Sequence, residues 1–255
     1  MAEPVSRRGL LALGTAGAGA MLLSGCDRLN GSPAFRSLLD GAQDAHRASQ
    51  RLLGGGTLAP EFTTADLSPN FRANGSRTAA DNIEWARHAA TGFAQWQLRV
   101  DGLVLRPLDL SLERLRSLPQ RTQVTRHDCV EGWSAIGQWT GPQLATILKA
   151  AGLLPAARYL VFHCADRFGG AAPYYESIDL MDGFHPQTIL AHTMNGAPLA
   201  VEHGAPVRLR VERQLGYKQA KYVERIEARA TLAGLHGGKG GFWEDRADYA
   251  WYAGI

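Results

Sequence analysis

From about residue 60 to 232 the chain alternates short apolar runs with turns rich in Gly and Pro. In "WQLRVDGLVLRP" the apolar positions Trp96, Leu98 and Val100 recur with period two, the spacing of a half-buried strand. Asp101-Gly102 then predicts a two-residue hairpin turn. "SLERLRSL" predicts a short helix with Ser111 as its cap and Leu112, Leu115 and Leu118 on one face. "TQVTR" predicts a strand running straight into Cys129. In "GPQLATILKAAGL" Leu144, Ile147, Leu148 and Ala151 form one helical face, Pro142 suits the first turn and Gly152 ends the helix. "RYLVFHC", "SIDL", "TILAHTM", "APVRLRVE" and "KYVERIEAR" are further strands. Regular strand–helix alternation is missing, so the pattern predicts a mixed α+β domain with mostly short strands and few helices.

Two flanking segments read differently. Phe35, Leu38, Leu39, Ala42, Ala45 and Leu52 recur at helical spacing up to the "GGG" at 54–56, so residues 26–59 are expected to be a tether and N-terminal helix. That helix either packs or docks a partner. The closing segment 233–255 holds Phe242, Trp243, Tyr249, Trp251 and Tyr252, a density of aromatics that is expected to pack back on the domain.

Composition adds little to this frame. Hydrophobic residues make up 45% of the chain and charged residues 20%, enough for a packed core. The net charge is only +3, with no basic run longer than a pair, which argues against nucleic-acid binding. The first 25 residues matter more. Arg7 and Arg8 precede an apolar run up to Leu23 that falls short of the roughly 20 residues of a membrane span, so it reads as a signal. Paired arginines point to the twin-arginine route. Leu23-Ser24-Gly25-Cys26 resembles a bacterial lipobox, and Asp27 after the cysteine favours retention at the inner membrane. The expectation is a periplasmic protein held on the inner membrane by lipid on Cys26. An ordinary signal peptide with a chance cysteine is the alternative.

Three cysteines are present: Cys26, Cys129 and Cys164. Cys129 lies in "TRHDCVEGWS", among His127, Asp128 and Glu131, which is polar company for a thiol. A Cys129–Cys164 disulfide is possible, but a chain this long needs no staple. "HDC" and "HC" stand alone without any C-x-x-C, which argues against structural zinc. A hydrolase using Cys129 with His127, His163 or His203 as base stays open on the residues alone, as does an inert thiol.

"TRHDCVEGWS" with "QWTGPQL", then "EHGAPVRLRVERQLGYKQAKYVERIE", then "GFWEDRADYAWYAGI", resemble in the same order three segments of the sulfite oxidase superfamily of molybdenum enzymes. The resemblance covers roughly residues 60–255. It implies one mixed α/β domain of the sulfite-oxidase molybdopterin-binding type over 60–232, with molybdenum–molybdopterin as cofactor. It makes Cys129 the thiolate on molybdenum, and sulfur suits that metal. His203, Arg208, Lys218, Gln219 and Lys221 become candidates to hold the pterin and its phosphate, for which fixed cations are needed. Arg72 and Asn74 in "NFRANG" match the family's early cofactor loop, and Cys164 falls where some members place a threonine near the pterin. Each keeps a plainer alternative: a solvated strand position for Arg208, a surface pair for the lysines, turn capping for His203 and Asn74.

The expected reaction is two-electron oxygen-atom transfer. Family members that oxidise sulfite carry arginines just after the cysteine; here Val130, Glu131, Gly132 and Trp133 follow. Glu131 would repel a sulfite dianion, and "CVEGWS" is instead similar to the branch of the family that reduces protein methionine S-oxides. An S-oxide is therefore the expected substrate, with sulfite as the alternative and a non-catalytic binding module as a further one. Tyr174 is a candidate for the catalytic pocket, with Tyr175 beside it, although both also suit a core. The chain has no haem, flavin or iron–sulfur motif, so the resemblance implies a separate redox partner, such as a membrane b-type cytochrome.

Overall fold

The computed structural model describes residue 29, residues 31–170 and residues 172–255. The expected signal over 1–25 and the lipidation at Cys26 lie outside these. The chain divides into two compact units, residues 1–53 and 54–255. In the first, helix α1 (Pro33–Gly54) occupies the segment whose apolar spacing predicted it.

The second unit carries the remaining elements in the order β1 (Gln97–Gly102), β2 (Leu108–Ser111), β3 (Gln120–Asp128), β4 (Ser134–Pro142), β5 (Tyr159–Arg167) and β6 (Pro173–Asp179). Short strands β7 (Ile189–Ala191), β8 (Thr193–Met194), β9 (Ala197–Pro198) and β10 (Arg208–Arg210) follow, then β11 (Val223–Arg229). Helices α2 (Ile83–Ala90), α3 (Leu112–Ser117), α4 (Leu144–Ala151), α5 (Leu180–Gly183) and α6 (Phe242–Ala247) are interspersed. The strands build a five-stranded sheet in the order β2-β1-β11-β5-β6, a four-stranded sheet β3-β4-β8-β9 and the pair β10-β7. All pairings are antiparallel except β1 with β11. This is the mixed α+β class the pattern predicts.

β5 is an interior strand, between β11 and β6. Leu160, Phe162 and Cys164 face the main core with Leu144, Ile147 and Leu148 of α4. Val161 on the other face packs with Tyr175, Leu235 and Phe242. A strand covered on both faces reads as a continuous apolar run, which is why "YLVF" shows no alternation. The segment 233–255 thus supplies the second cover.

Local signals hold unevenly. Ser111 caps α3 by accepting the Arg114 N–H at 3.0 Å, and Gly152 ends α4 in the left-handed region. Pro142 is the last residue of β4 rather than part of α4, which starts at Leu144 after Gln143. The β1–β2 hairpin exists, but residues 103–107 connect it, and Asp101 and Gly102 pair with β11. At Gly102 a Cβ would lie 2.4 Å from the Ala228 carbonyl oxygen, so the close approach of β11 explains the glycine. Along β10 and its flanking residues both faces are buried: Val207, Leu209 and Val211 enter the core, while Arg208 and Arg210 alternate with them, each fully buried. The expected alternative of a solvated Arg208 is wrong for that reason.

Candidate active site

β3 and β4 pair from Gln120↔Pro142 to Asp128↔Ser134, so Cys129 to Trp133 form the loop at the tip of this hairpin. The loop is tight. The Cys129 N–H donates to the Trp133 carbonyl at 2.9 Å and the Gly132 N–H to the Cys129 carbonyl at 3.0 Å. Gly132 sits at φ 84°, a conformation that favours glycine. The sequence "CVEGW" thereby places a free thiol at the end of a rigid two-stranded arm.

Cys129 lines an open cavity. Val130 and Glu131 line it beside Cys129, and Asn74 and Ser76 come from the early loop. Asp166 and Phe168 enter from the end of β5, and Tyr174 from β6. Gly216, Tyr217, Gln219 and Lys221 form one side, and Trp243 and Tyr249 of the C-terminal segment close another.

Burial raises the Cys129 thiol above its ordinary pKa. The Glu131 carboxylate adds to this, whereas the backbone N–H groups of Glu131 and Val130 and the charge of Arg72 oppose it. Arg72 is exposed, with its guanidinium 5.9 Å from the centroid of the Trp133 ring. Glu131 accepts the indole N–H of Trp133 at 2.9 Å. Among the described residues no group of three or more His, Cys, Asp or Glu side chains could hold a metal ion. A metal at Cys129 would have to bring most of its own ligands.

The walls fit such a group. Buried polar atoms are almost always hydrogen-bonded. Yet Asn74 Oδ1, His127 Nε2, His203 Nδ1, Arg208 Nε and Gln219 Oε1 are buried without a partner, and so are Ser76 Oγ and Asp166 Oδ1. Ser76 stands near enough to Asp166, and Gln219 to His127, to shift their pKa values, but these atoms make no well-formed hydrogen bond. The orphaned atoms belong to connected segments. Arg208 Nη1 donates to the His203 carbonyl at 3.1 Å and Nη2 to the Gln219 carbonyl at 3.4 Å. Lys221 Nζ donates to the Glu202 carbonyl at 2.8 Å and to the Ser76 carbonyl. A backbone-bound lysine and a clamped arginine keep their charge in place but leave donors for an anion.

The electrostatics point the same way. Arg208 and Arg210 lie over the Trp139 ring at 5.0 Å and 4.3 Å from its centroid. Burial, and then the neighbouring Arg210, pull Arg208 down to about 9. Burial and Arg208 pull Lys221 down to about 7. His127 is held neutral, well below its ordinary pKa, by burial and by Arg210. Arg210 is paired with the buried Glu212, whereas an anion such as a phosphate beside Arg208 and Lys221 would offset the burial that weakens their charge. At Gly216 a Cβ would lie 2.5 Å from His127 Nε2, so only glycine lets this loop approach.

Of the residues singled out from sequence, Cys129, Asn74, Tyr174, Gln219 and Lys221 share the cavity. His203 and Arg208 stand behind its wall and are tied to it by the bonds above. Lys218 does not reach it. Its ammonium is fully buried between Glu176 and Glu244, bonding the latter at 2.6 Å, so its expected role on the cofactor is corrected. Cys164 also turns away: it belongs to the apolar core, and burial holds its thiol well above the ordinary pKa. Tyr174 donates to the Tyr217 carbonyl at 2.7 Å and stacks on Phe242, so it is both a wall and a core residue. Tyr175 is not among the residues lining the cavity and packs with Val161, Leu235 and Phe242. Asp166 near the end of β5 and Phe168 just after it escaped the sequence reading because nothing local marks them.

The oxidoreductase molybdopterin-binding domain model matches residues 86–233, over half of the chain. A protein of Azospira oryzae, described as a putative protein-methionine-sulfoxide reductase subunit YedZ1, is 34% identical over 99% of this chain and 89% of its own length. The protein-methionine-sulfoxide reductase catalytic subunit MsrP of Gluconobacter oxydans is 36% identical over 51% of this chain and 46% of its own. Among solved structures, the sulfane dehydrogenase SoxCD of Paracoccus pantotrophus aligns with a TM-score of 0.49 at 24% identity, over 54% of this chain and 39% of that one. The chain belongs to the molybdopterin-binding oxidoreductase family, and its cofactor is molybdenum–molybdopterin.

Proposed function

We propose that the protein is a periplasmic reductase of S-oxides. The S=O bond breaks, two protons and two electrons are taken up, the oxygen leaves as water and the thioether is the product. The observation that carries the reading is the lining of the cavity beside Cys129. It holds two carboxylates, Glu131 and Asp166, together with Phe168, Tyr174, Tyr217, Trp243 and Tyr249. Its lining cation, Lys221, is assigned in this reading to the cofactor's phosphate. A dianion such as sulfite meets like charge there, whereas a neutral S-oxide finds apolar surface. The names of the two relatives agree with this choice of substrate.

Cys129 would ligate the metal. Arg208, His203, Gln219, Lys221 and Asn74 would hold the pterin and phosphate, with Arg72 adding charge from outside. The bound cofactor supplies the two-electron oxygen-atom exchange. The protein's own share is orientation and exclusion of water: the aromatic walls desolvate the substrate, and the Cys129 loop fixes the thiolate on a rigid hairpin. Asp166, pushed up to about 6 by burial, stands at the wall as a proton donor near neutral pH.

The reading includes export by the twin-arginine route, an inner-membrane lipid anchor at Cys26 and electrons from a separate partner, a membrane b-type cytochrome. The lipobox-like "LSGC", the paired arginines and the lack of haem, flavin or iron–sulfur motifs support it. The test uses cofactor-loaded protein with a reduced viologen and a panel of S-oxides and N-oxides, and a parallel assay of sulfite with an electron acceptor. S-oxide-dependent viologen oxidation is expected. Sulfite oxidation without S-oxide turnover would overturn the reading.

A further inference from the structure

Three consecutive residues of α6 do three different things. Phe242 enters the buried cluster with Val161, Tyr175 and Leu235. Trp243 is half-buried and lines the cavity. Glu244 is buried and bonds Lys218. Lys218 also bonds Glu176 of β6, and the three charged side chains are 0–1% exposed. The C-terminal segment is therefore bolted to the sheet through an ion-paired cluster, beside the aromatic ring that faces the reaction site.

The neighbouring contacts complete a wall. Trp243 meets Phe168 edge-on at 5.0 Å and stacks on Tyr249 at 5.8 Å. Tyr249 meets Tyr217 at 5.1 Å, and the Tyr217 hydroxyl donates to the Ala250 carbonyl at 2.6 Å. Lys218 follows Tyr217 directly, so the same turn carries one ring of the wall and the ammonium that fastens the rest. A Cβ at Gly241 would lie 2.0 Å from Glu244 Oε2, so the segment starts with glycine where this carboxylate folds against the backbone.

We infer that the C-terminal segment is the specificity element of the proposed reduction. Trp243, Tyr249 and Phe168 form an aromatic wall that receives the apolar substituents of an S-oxide, and Lys218 is the positioning residue that holds the wall through Glu244. This rests on the S-oxide reading above. Ring faces accept thioether and alkyl or aryl groups and offer an anion nothing, so the preferred class is a neutral S-oxide with a bulky apolar arm. Burial and Glu244 already push the Glu176 carboxyl well above its ordinary range, so without the Lys218 ammonium Glu244 loses its buried cation and with it the ion pair that anchors Trp243.

The test compares methyl p-tolyl S-oxide with dimethyl S-oxide on cofactor-loaded wild type, Trp243→Ala, Tyr249→Ala and Lys218→Met. Trp243→Ala should raise KM for the tolyl substrate about tenfold more than for dimethyl S-oxide, the worth of one good aromatic contact. Lys218→Met should do the same, keep wild-type molybdenum per chain and shift tryptophan emission to the red as Trp243 enters water. If Lys218→Met does not fold, the two ring variants decide, since their side chains are only half-buried. Equal KM changes for both substrates, or none, would overturn the inference while leaving S-oxide reduction intact. Loss of molybdenum from folded Lys218→Met would overturn the positioning role and return Lys218 to the cofactor. A wild type that turns over no S-oxide would sink both readings.

Discussion

Gly216→Ala puts the closest approach in the site under direct test. The added Cβ would lie 2.5 Å from His127 Nε2, 2.6 Å from its Cε1 and 3.3 Å from the Asp128 carbonyl oxygen. Non-bonded heavy atoms settle at roughly 3.5 Å, so the loop or the ring must give by about 1 Å. The ring cannot swing freely. Its Nδ1 pairs with Arg210 Nη1 at 3.1 Å, and Phe71 and Trp133 pack on it at 5.6 Å and 5.5 Å. The 216–221 loop therefore moves, and with it Gln219 and Lys221. Overpacking of this kind costs about 1–3 kcal/mol. For a domain of this size, about 2 kcal/mol lowers Tm by roughly 4–8 °C. Calorimetry of the cofactor-free protein reads that shift, and molybdenum per chain after loading reads the displaced binding groups. Gly56→Ala, where a Cβ meets nothing within 4 Å, is the control. A Gly216→Ala protein with wild-type Tm and full molybdenum would refute the argument that this glycine exists for close approach.

Two further outcomes follow from the same structure. Burial raises Asp166 to about 6, against about 3.9 in the unfolded chain. The native state then binds the proton more tightly, so this group's contribution to stability falls as pH rises from about 4 to about 6 and is flat above, by about 3 kcal/mol in all. Asp166→Asn should remove that slope in urea titrations; a variant with the wild-type pH profile contradicts the assignment. Cys129→Ser should lose molybdenum while Cys164→Ala keeps it, because Cys164 packs against the core; metal analysis showing the reverse would exchange the two roles.

Much of the fold is legible locally. The apolar spacing of α1, α3 and α4, the Ser111 cap and the Gly152 stop are decided within a few residues, and they appear where the chain predicts them. The errors also have local causes. Asp101-Gly102 is a good turn pair, but pairing with the distant β11 takes it as strand. Pro142 suits a helix start, but the β3–β4 register claims it.

For the site the division is sharper. The chain by itself determined the thiol and the family, because "HDCVEGW" and the segment 203–221 with its scattered basic residues are contiguous chemistry. It could not determine which basic residues reach the cavity beside Cys129. Lys218 and Lys221 are three residues apart and look alike in sequence. Only tertiary packing brings Glu176 and Glu244 to the first and backbone carbonyls to the second. The same holds for Trp243, Tyr249, Phe168 and Asp166. Their place on the cavity wall comes from contacts between distant segments, and long-range burial leaves no mark on the spacing of neighbouring residues.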